Sequence, residues 1–171
     1  MADQRSGQRI SSKNASNGFP FKPKRILVPT DGSENATRAV SVAAQIAKKY
    51  GSELLILIVT RRHDLTTEVA SSFQTSKQVL VEYYDQMDKR SNRMLEDAAA
   101  IAESIGCSNV KTEAVPEFDS VPKQILDQTI SKKVDLIVIG TRGLGGFKKL
   151  LLGSVSSSVV THANCNVLVV R

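Results

Sequence analysis

Long apolar runs are missing from this sequence. The longest wholly apolar stretch, Leu54–Val59, is six residues, far short of the ~20 that a membrane-spanning helix needs, so no membrane partner is expected. The N-terminal segment is polar and lacks the apolar core of a secretory signal. Cysteine is scarce as well: Cys107 and Cys165 are the only two, with no CxxC or zinc-like spacing. That argues against a disulfide framework or a structural zinc site, and reduced thiols in a cytoplasmic protein are the expectation.

A strongly basic domain is also missing. The chain carries +6, but its first 24 residues hold five Lys or Arg side chains against one Asp, leaving +2 for residues 25–171. This near-neutral balance argues against a nucleic-acid-binding face, and no nucleic-acid partner is expected. Catalytic sets are absent too. His63 and His162 are the only histidines, one in an irregular stretch and one near a helix end. Neither has a partner serine and carboxylate that would make a nucleophile and its base legible. A Walker-type GK[ST] is absent, as is an SGGxDS-like loop after the first strand. No catalytic residue and no metal ligand are assigned.

What is present is a regular alternation of short apolar runs and amphipathic stretches. Residues 1–23, rich in Ser, Asn, Gln, Gly and Arg, read as a flexible basic leader. The domain is residues 24–171. Arg25–Val28 is a buried-strand candidate ended by Pro29, and the polar turn Thr30–Glu34 follows. Helical spacing of Ala36, Val40, Ala43, Ala44, Ile46 and Ala47 runs to Tyr50, with Gly51 as the stop. Glu53–Val59 reads as a central parallel strand covered on both faces. Thr60–Ser76 is a polar insertion, longer than ordinary connections. Gln78–Gly106 is a long helix with Val79, Leu80, Tyr83, Tyr84, Met87, Met94, Leu95, Ala98 and Ile101 as its apolar set.

Asn109–Val115 alternates as a third strand ended by Pro116. Phe118–Lys132 is an amphipathic helix with Asp119 or Ser120 as cap. Val134–Ile139, Ser154–Ala163 and Asn166–Val170 are the fourth strand, fourth helix and fifth strand. Repeated strand–helix units predict an α/β fold: a doubly wound, Rossmann-like five-stranded parallel sheet in the order 3-2-1-4-5, with helices on both faces. That order sets the ends of strands one and four side by side, so Asp31 and the loop after Gly140 flank one crevice.

The loop after the fourth strand carries the chemistry. Gly140, Gly143 and Gly153-Ser154 fit G-x2-G-x9-G-[ST] between a strand and a helix. Gly140 can end the strand in a backbone conformation other residues resist, and Gly143 lets the chain approach a phosphate without a Cβ. Gly153 and Ser154 open a helix whose free N–H groups and dipole favour an anion. Arg142, Lys148 and Lys149 add positive charge nearby. Asp31 taken alone reads equally as an N-cap of the first helix, a role open to Ser33 also.

These stretches (ILVPTDGSE at the first strand, GTRGLGGFKKLLLGSVSSSVV, and the final VLVVR) resemble the universal stress protein family over residues 24–171, in its ATP-binding branch. The resemblance implies adenine-nucleotide binding (ATP, ADP or AMP, with or without Mg²⁺) and a stress-response or signalling switch. It also implies a homodimer through the C-terminal strand. A slow ATPase or autophosphorylating enzyme of the same fold, or a ligand-free dimeric scaffold, are the alternatives. By motif position, Asp31 would contact the adenosine, with Pro29 and Thr30 shaping that wall and Val59 meeting the adenine through its backbone. Gly140, Arg142, Gly143, Gly153, Ser154, Val155 and Ser156 would surround the phosphates, mostly through main-chain N–H groups. The chain departs from the family pattern twice. His162-Ala163-Asn164-Cys165-Asn166 lacks both prolines of the His-Ala-Pro-Cys-Pro often found there. Ile58 stands where many members have His, which would remove a polar group near the base wall.

Overall fold

The structure, a computed structural model, describes residues 21–60, 77–144 and 152–171. The leader, the 61–76 insertion with His63, and residues 145–151 with Lys148 and Lys149 lie outside the described residues. Nine elements follow one another among the described residues: β1 (Arg25–Pro29), α1 (Glu34–Tyr50), β2 (Glu53–Thr60), α2 (Lys77–Ser104), β3 (Val110–Pro116), α3 (Val121–Ser131), β4 (Leu136–Gly140), α4 (Ser154–His162) and β5 (Asn166–Val170). All strand pairs are parallel and the order is β3-β2-β1-β4-β5, as the strand–helix alternation predicts.

Strand alternation splits the core in two. Ile26 and Val28 of β1, Leu54, Ile56 and Ile58 of β2, and Leu136 and Val138 of β4 face α1 and the second half of α2. Leu27, Leu55, Leu57, Ile137 and Ile139 face α3 and α4, meeting Ile125 and Val159. The three interior strands, β1, β2 and β4, are thus apolar at successive positions because each face is covered by helices. Asp135, which interrupts the apolar run, is explained by the edge of β1: its Oδ2 accepts the N–H groups of Lys24 (2.7 Å) and Arg25 (2.9 Å). Its own N–H donates to Arg25 O at 2.9 Å. One side chain therefore sets where β1 starts against β4.

Some expectations shift. The second strand runs on to Thr60, and Pro116 belongs to β3 as its last residue, opposite Thr60. Helix α3 starts at Val121, capped by Ser120, whose hydroxyl accepts the Lys123 N–H; Asp119 is not the cap. Phe118, expected inside that helix, precedes it and is 82% exposed. Val79 and Tyr83, expected in the apolar set of the long helix, are exposed, and among the described side chains of α2 the first buried one is Ser91. The reason is length: α2 has 28 residues and β3 only 7. Arg90 and Met94 already lie beside Thr30 and Asp31, just past the end of β1, so the turns before them extend beyond the strand ends. Ile58 is buried in the α1–α2 core. The family's histidine position therefore points away from the crevice face that Leu57 and Val59 share, correcting the placement of Ile58 beside the base wall.

Glu53, at the start of β2, lies 2.7 Å from Lys111 Nζ and 3.7 Å from Arg25 Nε. The hydrogen bond from Lys111 holds its carboxyl below the ordinary value; partial burial opposes this, and the charges of Lys111, Arg25 and Lys132 reinforce it. A carboxyl lowered by folding stabilises the protein above its unfolded value and loses that contribution as pH falls through the folded one. Glu53→Gln is expected to destabilise by no more than ~1 kcal/mol near neutral pH. The gap should narrow in urea titrations repeated at successively lower pH below the ordinary glutamate value of about 4.3, and vanish once the pH has fallen through the lowered folded-state value. A gap that persists in acid would mean that packing, not charge, supplies the difference.

Candidate functional site

The crevice is built where β1 and β4, adjacent in the sheet, release their chains in opposite directions. β1 ends at Pro29 and turns through Thr30–Ser33 into α1. Ser33 is the cap of that helix: its Oγ accepts the Ala36 N–H at 3.3 Å. Asp31 is therefore free of the capping role and does something else. Its Oδ1 accepts the Ser33 N–H at 3.0 Å, and its Oδ2 accepts the Leu144 N–H at 2.9 Å. The two flanks of the crevice are joined by this carboxylate and by the Ser33 hydroxyl, which donates to Arg142 O at 3.5 Å.

β4 ends at Gly140. Thr141 N–H then donates to Val170 O of β5, and Thr141 O accepts the Gly153 N–H, both at 2.7 Å. The same carbonyl accepts the Ser156 hydroxyl at 2.9 Å. These bonds hold the start of α4 against the end of β4. Gly153 is the N-cap residue and brings no side-chain cap. Ser157 N–H bonds Gly153 O at 2.9 Å, opening the helical ladder. The preceding N–H groups, of Ser154, Val155 and Ser156, have no intrahelical acceptor. With the helix dipole behind them they form an anion seat.

Two of the motif glycines are required by protein contacts. Gly140 has no positive φ; a Cβ there would lie 2.8 Å from both the carbonyl carbon and oxygen of Asn35. The expectation of an unusual backbone conformation at Gly140 is thus replaced by close approach of α1. A Cβ on Gly143 would fall 2.2 Å from Asp31 Oδ2. What that glycine admits is the carboxylate of the opposite flank.

On the other side the crevice is apolar. Leu57 and Val59 alternate onto one face of β2, and Val121 and Ile125, four apart, line it from α3. The Leu57 carbonyl accepts the Thr30 N–H at 2.8 Å. In a parallel ladder the residue two further on aims its N–H and C=O the same way. Those groups of Val59 therefore point to the side that β1 has just left, where no main-chain partner among the described residues meets them.

The cavity so enclosed has a volume of about 660 Å³, within the ~300–1,000 Å³ of small-molecule sites. Pro29, Thr30, Asp31, Val59, Gly140, Arg142, Gly143, Gly153, Ser154, Val155 and Ser156, all singled out from the sequence, line it together. Ala36, Leu57, Val121, Ile125, Ile139 and Leu144 also line it and were not singled out. Leu57 was findable, since it shares its strand face with Val59. Val121 and Ile125 were not, because nothing local says that α3 covers this end of the sheet. His162 stays apart from the crevice: its Nδ1 lies 2.8 Å from Ser158 O in the last turn of α4.

The universal stress protein family profile matches residues 22–171. A universal stress protein of Bacillus subtilis (strain 168) is 33% identical over 148 residues, covering 86% of this chain and 98% of its own. Among solved structures, the universal stress protein UspA from Lactobacillus plantarum is 29% identical with a TM-score of 0.73, covering 86% of this chain and 97% of its own. A universal stress protein solved in complex with cAMP superposes with a TM-score of 0.62 at 24% identity, covering 88% and 98%. One from Archaeoglobus fulgidus in complex with dAMP superposes with a TM-score of 0.61 at 20% identity, covering 88% and 100%. At those last two identities the likeness is one of fold.

The buried Ser156 hydroxyl carries the first prediction from this geometry. Ser156→Ala removes its donation to Thr141 O and should destabilise the protein by ~1–2 kcal/mol in chemical denaturation. Ser157→Ala, at an exposed position on the same helix, should change stability by no more than ~0.5 kcal/mol. Equal effects would show that the Thr141 carbonyl does not depend on the hydroxyl.

Proposed function

The chain belongs to the universal stress protein family, and on that premise we propose that it binds an adenine nucleotide, with ATP as the reference ligand, and acts as a cytoplasmic stress-response or signalling switch. The observation that carries the reading is the pairing of two unlike walls in one cavity. On one wall, the first-turn N–H groups of Ser154, Val155 and Ser156 face the cavity without a capping side chain. A phosphate chain supplies the acceptors and the charge they call for. On the other wall, Pro29, Leu57, Val59, Val121 and Ile125 offer apolar surface to a flat ring. The outward N–H and C=O of Val59 match a heterocycle edge with one acceptor and one donor, such as N1 and N6 of adenine.

Arg142 lines the phosphate side and adds charge. That cAMP and dAMP are held by proteins of this fold is consistent with the reading as an analogy of fold. Mg²⁺ would accompany the phosphates, if bound, through the nucleotide's own oxygens. The protein side of the reading is binding and reporting.

Homodimerisation through β5 belongs to the same proposal. β5 is a sheet edge, with Leu168 half exposed. Val170 O accepts from Thr141, so residues 166, 168 and 170 aim their main-chain groups at β4 and residues 167 and 169 aim theirs outward. Two copies could pair along that outward row. Val169→Pro deletes an outward N–H while leaving the β4 ladder whole, a substitution edge strands tolerate. Sedimentation velocity is expected to give a dimer for the wild type and a folded monomer for Val169→Pro; a dimer in both would remove β5 from the interface.

Ser154→Pro tests the anion seat. Proline is favoured at the first helical position, and Gly153 (φ −71°, ψ 164°) already has the extended backbone that a following proline requires. The helix is kept and one phosphate donor is lost. Calorimetry should show the wild type binding ATP and Ser154→Pro binding about tenfold or more weakly, at an unchanged melting temperature. A wild type that binds none of ATP, ADP or AMP sinks the nucleotide reading. Equal affinity in the two proteins moves the phosphates away from α4.

A further inference from the structure

We infer that Asp31 is a positioning residue whose carboxylate fixes the Arg142–Leu144 turn in the shape that presents donors to the phosphates, rather than a residue that serves the nucleoside. The inference deepens the nucleotide-binding reading and rests on it for the identity of the anion. Asp31 and Leu144 are 113 positions apart, yet the carboxylate oxygen and the amide nitrogen meet at 2.9 Å. The second oxygen is held at 3.0 Å by the Ser33 N–H, and Ser33 is itself fixed as the cap of α1. The carboxylate thus joins the start of α1 to the loop after β4 in a line of three hydrogen bonds.

The fit is tight on both sides of Asp31. A Cβ on Gly143 would meet Asp31 Oδ2 at 2.2 Å, so the glycine and the acid occupy complementary space. Gly32, in the left-handed region at φ +78°, leaves only 2.9 Å between a would-be Cβ and Met94 Sδ of α2. Met94 thus stands beside the turn that carries Asp31. Two N–H groups approach the two oxygens separately, which needs an acceptor at each end. A carboxylate supplies that; an asparagine supplies one acceptor and turns an NH₂ toward the other N–H. Charge on the acceptor strengthens both bonds.

A nucleoside contact and a positioning residue differ in which ligand feels the substitution. Without any ligand, the Leu144 amide should exchange its hydrogen about tenfold or more faster in Asp31→Asn than in wild type; unchanged exchange overturns the inference. By calorimetry, Asp31→Asn should weaken ATP about 10–100-fold and leave adenosine within about twofold. An equal loss for both ligands makes Asp31 a nucleoside contact and overturns it. Gly143→Ala should cost less ATP affinity in an Asp31→Ala background than in wild type, because the atom it collides with is gone; equal costs also overturn it. If the wild type binds neither ATP nor adenosine, the nucleotide reading fails by itself, and the exchange of Leu144 still decides whether Asp31 holds the turn.

Discussion

The backbone of α1 lies so close to the end of β4 that nothing larger than hydrogen fits between them. A Cβ on Gly140 would stand 2.8 Å from Asn35 C and O and 3.1 Å from Ala36 N. Main-chain atoms cannot yield as a flexible side chain can, so this contact fixes where α1 begins relative to β4. The rest of the crevice follows. With α1 seated there, the Thr30–Ser33 turn must cross in front of the loop that leaves β4, and Asp31 arrives beside Gly143. The same loop is pinned behind by Thr141, whose N–H holds β5 and whose carbonyl gathers the Gly153 N–H and the Ser156 hydroxyl. The start of α4 is thereby aimed at the space in front of β1.

Seen from this contact, the glycine motif has two jobs that its spacing does not separate. Gly140 and Gly143 are small because other parts of the protein come close to them: a helix backbone for one, a carboxylate for the other. Gly153 is different. A Cβ there would have ordinary contacts, 3.4 Å and beyond. Its value lies in capping α4 without a side chain, which leaves the first-turn donors for a ligand. The loop is therefore constrained by protein contacts in its first half and leaves its donors open in its second.

The strand order and the succession of helices are legible because continuous apolar runs mark β2 and β4 as strands covered on both faces and a glycine-serine step marks the start of α4. The eleven positions come from motif position in the family, and they line one cavity. What could not be read were facts that depend on which element lies over which. Ile58 adjoins Val59 of the base wall in sequence, but one step along a strand reverses the face, and it packs under α1 and α2. Val79 and Tyr83 fit a helical stripe, yet a stripe is buried only where a sheet lies beneath it. The role of Asp31 was ambiguous for the opposite reason. A cap and a ligand contact were the two local choices, and its partner lies 113 residues away.

The two edges of the sheet differ in a way that bears on assembly. β3 carries Lys111, Glu113 and Pro116, and its lysine and glutamate are committed to ion pairs with Glu53 and Lys132. Charges on an edge, and a proline that cannot donate, are the means by which edge strands resist pairing. β5 reads Asn-Val-Leu-Val-Val, without charge or proline, and its side chains are only partly covered. If either edge of this sheet accepts another strand, the composition favours β5. The missing prolines ahead of it bear on the other side of the strand: Asn166 keeps an N–H that proline would have removed, and β5 pairs with β4 from this first residue, Asn166 opposite Leu136. The strand that closes the α3–α4 face of the core is thus also the one left open to a second copy. Because the Thr141 N–H bonds to its last residue, Val170, the edge and the crevice share a single peptide unit.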